Sequence, residues 1–66
     1  MMGRIPKIMI ENCIKYRTNA GITQEDLAKR IGCSRAAISN FESGKSHAGV
    51  ILLEYLKIGG IVNEKG

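Results

Sequence analysis

Apolar side chains recur along this chain in four blocks of helical spacing, separated by glycines and short polar stretches. From Pro6 to about Asn19, Met9, Ile10, Cys13, Ile14 and Tyr16 share one arc of a helix, and Glu11, Asn12, Lys15, Thr18 and Asn19 share the other. Pro6 suits the first turn, where its missing N–H costs nothing, and Ala20-Gly21 ends the helix. Arg17 breaks the pattern by pointing into the apolar arc. A guanidinium there needs a partner, because an unpaired buried charge costs several kcal/mol.

Thr23-Gln24-Glu25-Asp26 opens a second helix, with a hydroxyl at the N-cap and carboxylates in the first turn. Leu27, Ala28 and Ile31 form its buried face, and Gly32 stops it. Ser34 caps a third helix, which ends at Gly44 and turns Ala37, Ile38 and Phe41 to one side. KSHAG (residues 45–49) follows as a polar loop. Residues 50–62 then form a fourth helix with Leu52, Tyr55, Leu56, Gly59 and Val62 inward and Val50, Leu53 and Ile61 outward. The apolar arc of that helix is wider than one small core absorbs, since Glu54 and Lys57 are its clear polar positions.

The other side of the third helix carries Arg35, Ala36, Ser39, Asn40 and Ser43. A solvated helix face ordinarily carries long Glu, Lys and Arg side chains in i,i+4 pairs. A face of short polar groups suits close approach to another surface. The B-DNA major groove admits such a helix, lets short side chains bond to base edges, and lets one Arg fork onto guanine.

With 66 residues the chain is one domain, residues 1–66, with a small aliphatic core; its aromatics are Tyr16, Phe41 and Tyr55. Net charge of +4 favours an anionic partner. Cys13, Cys33 and His47 do not make a zinc-ligand pattern, so no metal and no cofactor are expected, and the thiols read as core residues in a reducing cytosol. No stretch resembles a secretory leader or a membrane span, so cytoplasmic placement and no membrane partner are expected. One His and no nucleophile–base arrangement argue against an enzyme, and no small-molecule ligand is expected.

Two short helices joined by a tight glycine turn make a helix-turn-helix unit, here about residues 23–43. The run TQEDLAKRIGCSRAAISNFESGK resembles the phage-repressor, or XRE/Cro-type, family at Thr23, Gln24, Leu27, Ala28, Gly32, Ser34, Ile38, Ser39, Glu42, Gly44 and Lys45. The likeness extends over roughly residues 9–62. It implies an all-α, compact, lambda-repressor-like bundle of four or five helices that binds double-stranded DNA. By the same resemblance Arg17 pairs with Glu42. Ser34, Arg35, Ala36 and Asn40 match base-reading positions, which Ser39 joins from its place on the same face. Thr23, Gln24, Ser43 and Lys45 match phosphate-contacting positions. The loop SHAG departs from the family pattern in lacking proline and in being longer, which leaves the register of the fourth helix open.

Lys29 and Arg30 read as solvated charges; Arg4 and Lys7 fit either a basic arm over the DNA backbone or a basic tip. The expected function is a small dimeric repressor acting on a near-palindromic operator, with Val50, Leu53 and Ile61 at the homodimer interface. The rival reading is an antitoxin or antirepressor whose fourth helix binds a partner protein. The chain also suits the DNA-binding fragment of a longer repressor.

Overall fold

The computed structural model describes residues 4–61. Four helices follow in chain order: α1 Lys7–Asn19, α2 Gln24–Ile31, α3 Arg35–Glu42 and α4 Gly49–Ile58. The described residues contain no strand.

Local chemistry sets the ends of the two middle helices. Thr23 Oγ1 accepts from the Asp26 N–H at 3.0 Å, and Asp26 Oδ2 accepts from the Thr23 N–H at 3.2 Å. This reciprocal capping box satisfies two N–H groups that the helix itself leaves unpaired. It also holds the Asp26 carboxyl below the usual carboxylate range, chiefly through the backbone hydrogen bond. Ser34 Oγ caps α3 by accepting from the Ala37 N–H at 3.1 Å. Between the two helices Gly32 adopts φ 89°, a left-handed conformation that glycine takes without steric cost. The Cys33 N–H then reaches back to Ala28 O at 2.9 Å, which closes α2 and turns the chain into α3.

α2 packs on α3, and α1 packs on both α3 and α4. Cys13, Leu27, Ala28, Ile38, Phe41, Ile51 and Tyr55 form the shared core, and Ile10 is also buried. The Phe41 and Tyr55 rings stack with centroids 5.1 Å apart and join α3 to α4. Burial raises the Cys13 thiol above its ordinary value, as expected of a packing residue rather than a nucleophile. The segment before α1 is tied to the loop before α4, where the Ile5 N–H donates to His47 Nδ1 at 3.2 Å. Arg4 and Lys7 are exposed on either side of that tie.

Three features differ from the sequence pattern. Met9, placed on the apolar arc of α1, is 38% exposed, because it lies at the edge of the stripe that buries Ile10 and Cys13. Ile51 is buried beside Tyr55 although the pattern did not turn it inward. Apolar residues fill most of α4, so periodicity could not choose between neighbouring registers. The third difference is the end of α4, at Ile58 rather than residue 62. Gly60 takes φ 77° and the Ile61 N–H bonds to Leu56 O at 2.9 Å, so the glycine pair closes the helix. Val62 lies outside the described residues.

Gly59 meets α1 closely. A Cβ built on it would stand 2.7 Å from Cγ of the Tyr16 ring. Leu52, Leu56 and Ile58 are half-buried, whereas Val50, Leu53 and Ile61 are 65%, 41% and 61% exposed. No helix among the described residues is long and apolar enough to cross a membrane.

Candidate nucleic-acid interface

α3 divides cleanly into two sides. Ile38 and Phe41 are fully buried and Ala37 is half-buried, which fixes the helix against α2 and α1 and stacks Phe41 on Tyr55 of α4. Arg35, Ala36, Ser39 and Asn40 therefore stand on the opposite side, all exposed, with Ser34 and Ser43 exposed at the two ends. Neither Ser34 nor Ser43 is a loose hydroxyl: Ser34 Oγ caps the helix, and Ser43 Oγ donates to Asn40 O at 3.1 Å. The same Asn40 carbonyl receives the Lys45 N–H at 2.8 Å, so the chain after α3 folds back and keeps Lys45 next to the exposed side. Thr23 is also engaged, as the N-cap of α2.

Behind α3 lies a polar cluster centred on Glu42. Arg17 donates to Glu42 through Nε at 2.6 Å and through Nη2 at 3.0 Å, while its Nη1 donates to Ile22 O at 2.9 Å. The two side chains are 11% and 8% exposed, so this is a largely buried, two-pronged ion pair. Glu42 also accepts from the Tyr55 hydroxyl at 2.5 Å and from Gln24 Nε2 at 3.0 Å. Burial alone would raise the Glu42 carboxyl, but the hydrogen bonds from Arg17, Tyr55 and Gln24 outweigh it and hold the group below the usual carboxylate range. Arg17 is raised in turn, first by its hydrogen bond to Glu42. Burial is the first cause that raises the Tyr55 hydroxyl, followed by its bond to the carboxylate.

The cluster touches the exposed side of α3 through Gln24. While its amide nitrogen donates to Glu42, its Oε1 accepts from Arg35 Nη1 at 3.3 Å. Arg17, Gln24 and Arg35 also line an open depression beside the N-terminus of α2, together with Thr18, Ile22 and Thr23.

Residues 14–54 match a helix-turn-helix family model. The chain belongs to the XRE/Cro-type helix-turn-helix family. No curated protein and no solved structure matches it. Family members are DNA-binding regulators of transcription, and this chain is a regulator of that general kind, with double-stranded DNA as its partner. The matched segment takes in Arg17, the whole helix-turn-helix and the first half of α4. It stops at Glu54, one residue short of Tyr55.

Two members of the Glu42 cluster escaped the sequence reading. The resemblance marks Gln24 as a phosphate-contacting residue and gives no sign of a link between Glu42 and Arg35. The spacing of the fourth helix turns Tyr55 inward and names no partner for its hydroxyl. A signal exists for the second: a buried tyrosine hydroxyl needs a hydrogen-bond partner, and a carboxylate paired with one arginine still has room to accept from it. Among the described residues no group of three or more His, Cys, Asp or Glu stands close enough to hold a metal, and both cysteines are free.

Proposed function

We propose that the protein is a small dimeric repressor that reads a near-palindromic operator with α3 and acts by occupying it. The observation that carries this reading is the exposed side of α3, where Arg35, Ala36, Ser39 and Asn40 offer short groups and one guanidinium while Ile38 and Phe41 hold the helix from behind. Such a surface lets the backbone sit deep in a major groove, and Ser34 at the helix start joins the same set. Thr23, Gln24, Ser43 and Lys45 flank it at a helix start, a helix end and a loop, where phosphate contacts would fix orientation without selecting sequence. Val50, Leu53 and Ile61 supply the pairing surface, and pairing would set two reading helices about 34 Å apart, one turn of DNA.

The test begins with selection of a best site from a library of randomised duplexes. Each variant is then titrated against that site, its single-base variants and random duplex at several salt concentrations. Arg35→Ala should relax preference at one base pair per half-site, by about 1–3 kcal/mol. Lys45→Ala should weaken every sequence alike and lower the salt slope by about 0.9 for the phosphate lost. An equal loss for all sequences in Arg35→Ala would show that α3 is not the reading element.

A further inference from the structure

We infer that Tyr55, a core residue of α4, is a positioning residue for sequence reading, acting on Arg35 through Glu42 and Gln24. This rests on the reading of α3 as the base-contacting helix. The Glu42 carboxylate has two oxygens, and each is shared between two donors. Oε2 takes Arg17 Nε and the Tyr55 hydroxyl at 2.6 and 2.5 Å, and Oε1 takes Arg17 Nη2 and Gln24 Nε2, both at 3.0 Å. With Tyr55 and Arg17 filling Oε2, the place left for Gln24 is on Oε1.

That place decides which way the Gln24 carboxamide faces. Its NH₂ end must meet the carboxylate, since a carbonyl there would oppose a negative oxygen. Its Oε1 therefore faces away from Glu42 and meets Arg35 Nη1 at 3.3 Å. One guanidinium nitrogen of Arg35 is thereby anchored, and Nε and Nη2 remain to donate to a base edge. A bidentate Arg–guanine contact requires the fork to be held in one plane. Removing the Tyr55 hydroxyl opens a position on Oε2, frees the Gln24 amide to migrate or rotate, and releases the Arg35 fork.

Tyr55→Phe keeps the ring that stacks on Phe41 and deletes the hydroxyl alone. The best duplex from a randomised library, its single-base variants and random duplex serve as probes, at about 10–15 °C, near the temperature where small domains are most stable. Discrimination at the base pair read by Arg35 should fall by about threefold or more, as expected for residues coupled in one network. Affinity for random duplex should fall by no more than the loss of the one phosphate contact proposed for Gln24, and alike for every sequence. Ile51→Val, which loosens the core beside Tyr55 but removes none of the hydrogen bonds to Glu42, should leave discrimination unchanged. Side-chain NMR of the unmodified, DNA-free protein gives a second reading: the Gln24 carboxamide should be as ordered as the backbone. A mobile Gln24 amide there overturns the inference even if Tyr55→Phe does not fold. Wild-type discrimination in Tyr55→Phe, beside lost discrimination in Arg35→Ala, overturns it and leaves the reading of α3 standing. Retained discrimination in Arg35→Ala overturns that reading as well.

Discussion

Replacing Glu42 with alanine removes the acceptor of four hydrogen bonds at once. Arg17 would keep its bond to Ile22 O and lose both contacts to the carboxylate. Its side chain is 11% exposed, so little water can replace them. Breaking a buried pair from one side costs about 3–5 kcal/mol. The slight exposure of both partners puts this pair near the lower figure. The stranded Tyr55 hydroxyl adds about 1–3 kcal/mol, because the residue is fully buried. Small domains hold roughly 0.05–0.15 kcal/mol per residue, so a loss of ~4 kcal/mol approaches the whole stability of this one.

Glu42→Ala should therefore be largely unfolded at room temperature by far-UV circular dichroism. The coupling is better measured with milder changes: Arg17→Met, Glu42→Gln and the double variant, each unfolded in urea. We expect the double variant to recover at least ~1.5 kcal/mol relative to the sum of the singles, the scale of a charge-assisted bond. A coupling within about 0.5 kcal/mol of zero, the range of independent sites, would refute the account of Glu42 as the centre of a buried polar cluster.

Other expectations follow from the same geometry. Because Glu42 is held below the usual carboxylate range, its contribution is complete above the unfolded-state value of 4.5 and is lost as pH falls through the lowered one; Glu42→Gln should lose less stability than wild type between neutral pH and pH ~3. Val50→Lys and Leu53→Lys, at exposed sites of α4, should change urea stability by no more than about 0.5 kcal/mol yet abolish self-association in sedimentation. A wild type that is strictly monomeric at high micromolar concentration, with and without DNA, would count against the dimer. Gly59→Ala places a methyl 2.7 Å from the Tyr16 ring and should destabilise by about 1–3 kcal/mol. An Ala variant as stable as wild type would mean that the ring moves aside freely.

The first three helices were legible because their signals are local. Thr23, Ser34 and the glycines after each helix act on their own neighbours in sequence, and the alternation of Leu27, Ile31, Ile38 and Phe41 with polar residues leaves one choice of face. α4 carries no such contrast. With Val50, Ile51, Leu52 and Leu53 in succession, burial is decided by where α1 and α3 already stand, so the pattern does not single out Ile51 and runs on through the glycine pair that closes the helix. The exposed side of α3 was legible from its lack of bulk. The link from Tyr55 to Arg35 was not, since it joins residues from three helices through contacts that have no spacing rule.

The way Ser34, Ser43 and Thr23 spend their hydroxyls bears on the entropy of binding. These groups are already fixed on the backbone of their own helix ends, and Ala36 has no rotamer to lose. Immobilising a rotamer-rich side chain at an interface costs roughly 0.5–1.5 kcal/mol. On the proposed reading surface that penalty falls on Ser39, Asn40, Lys45 and the part of Arg35 not yet held by Gln24. A surface ordered before it meets DNA binds with a small conformational loss. Calorimetry on a short duplex should then find the unfavourable entropy of association coming mainly from the DNA and from the proposed pairing of two chains, and little of it from α3 becoming ordered.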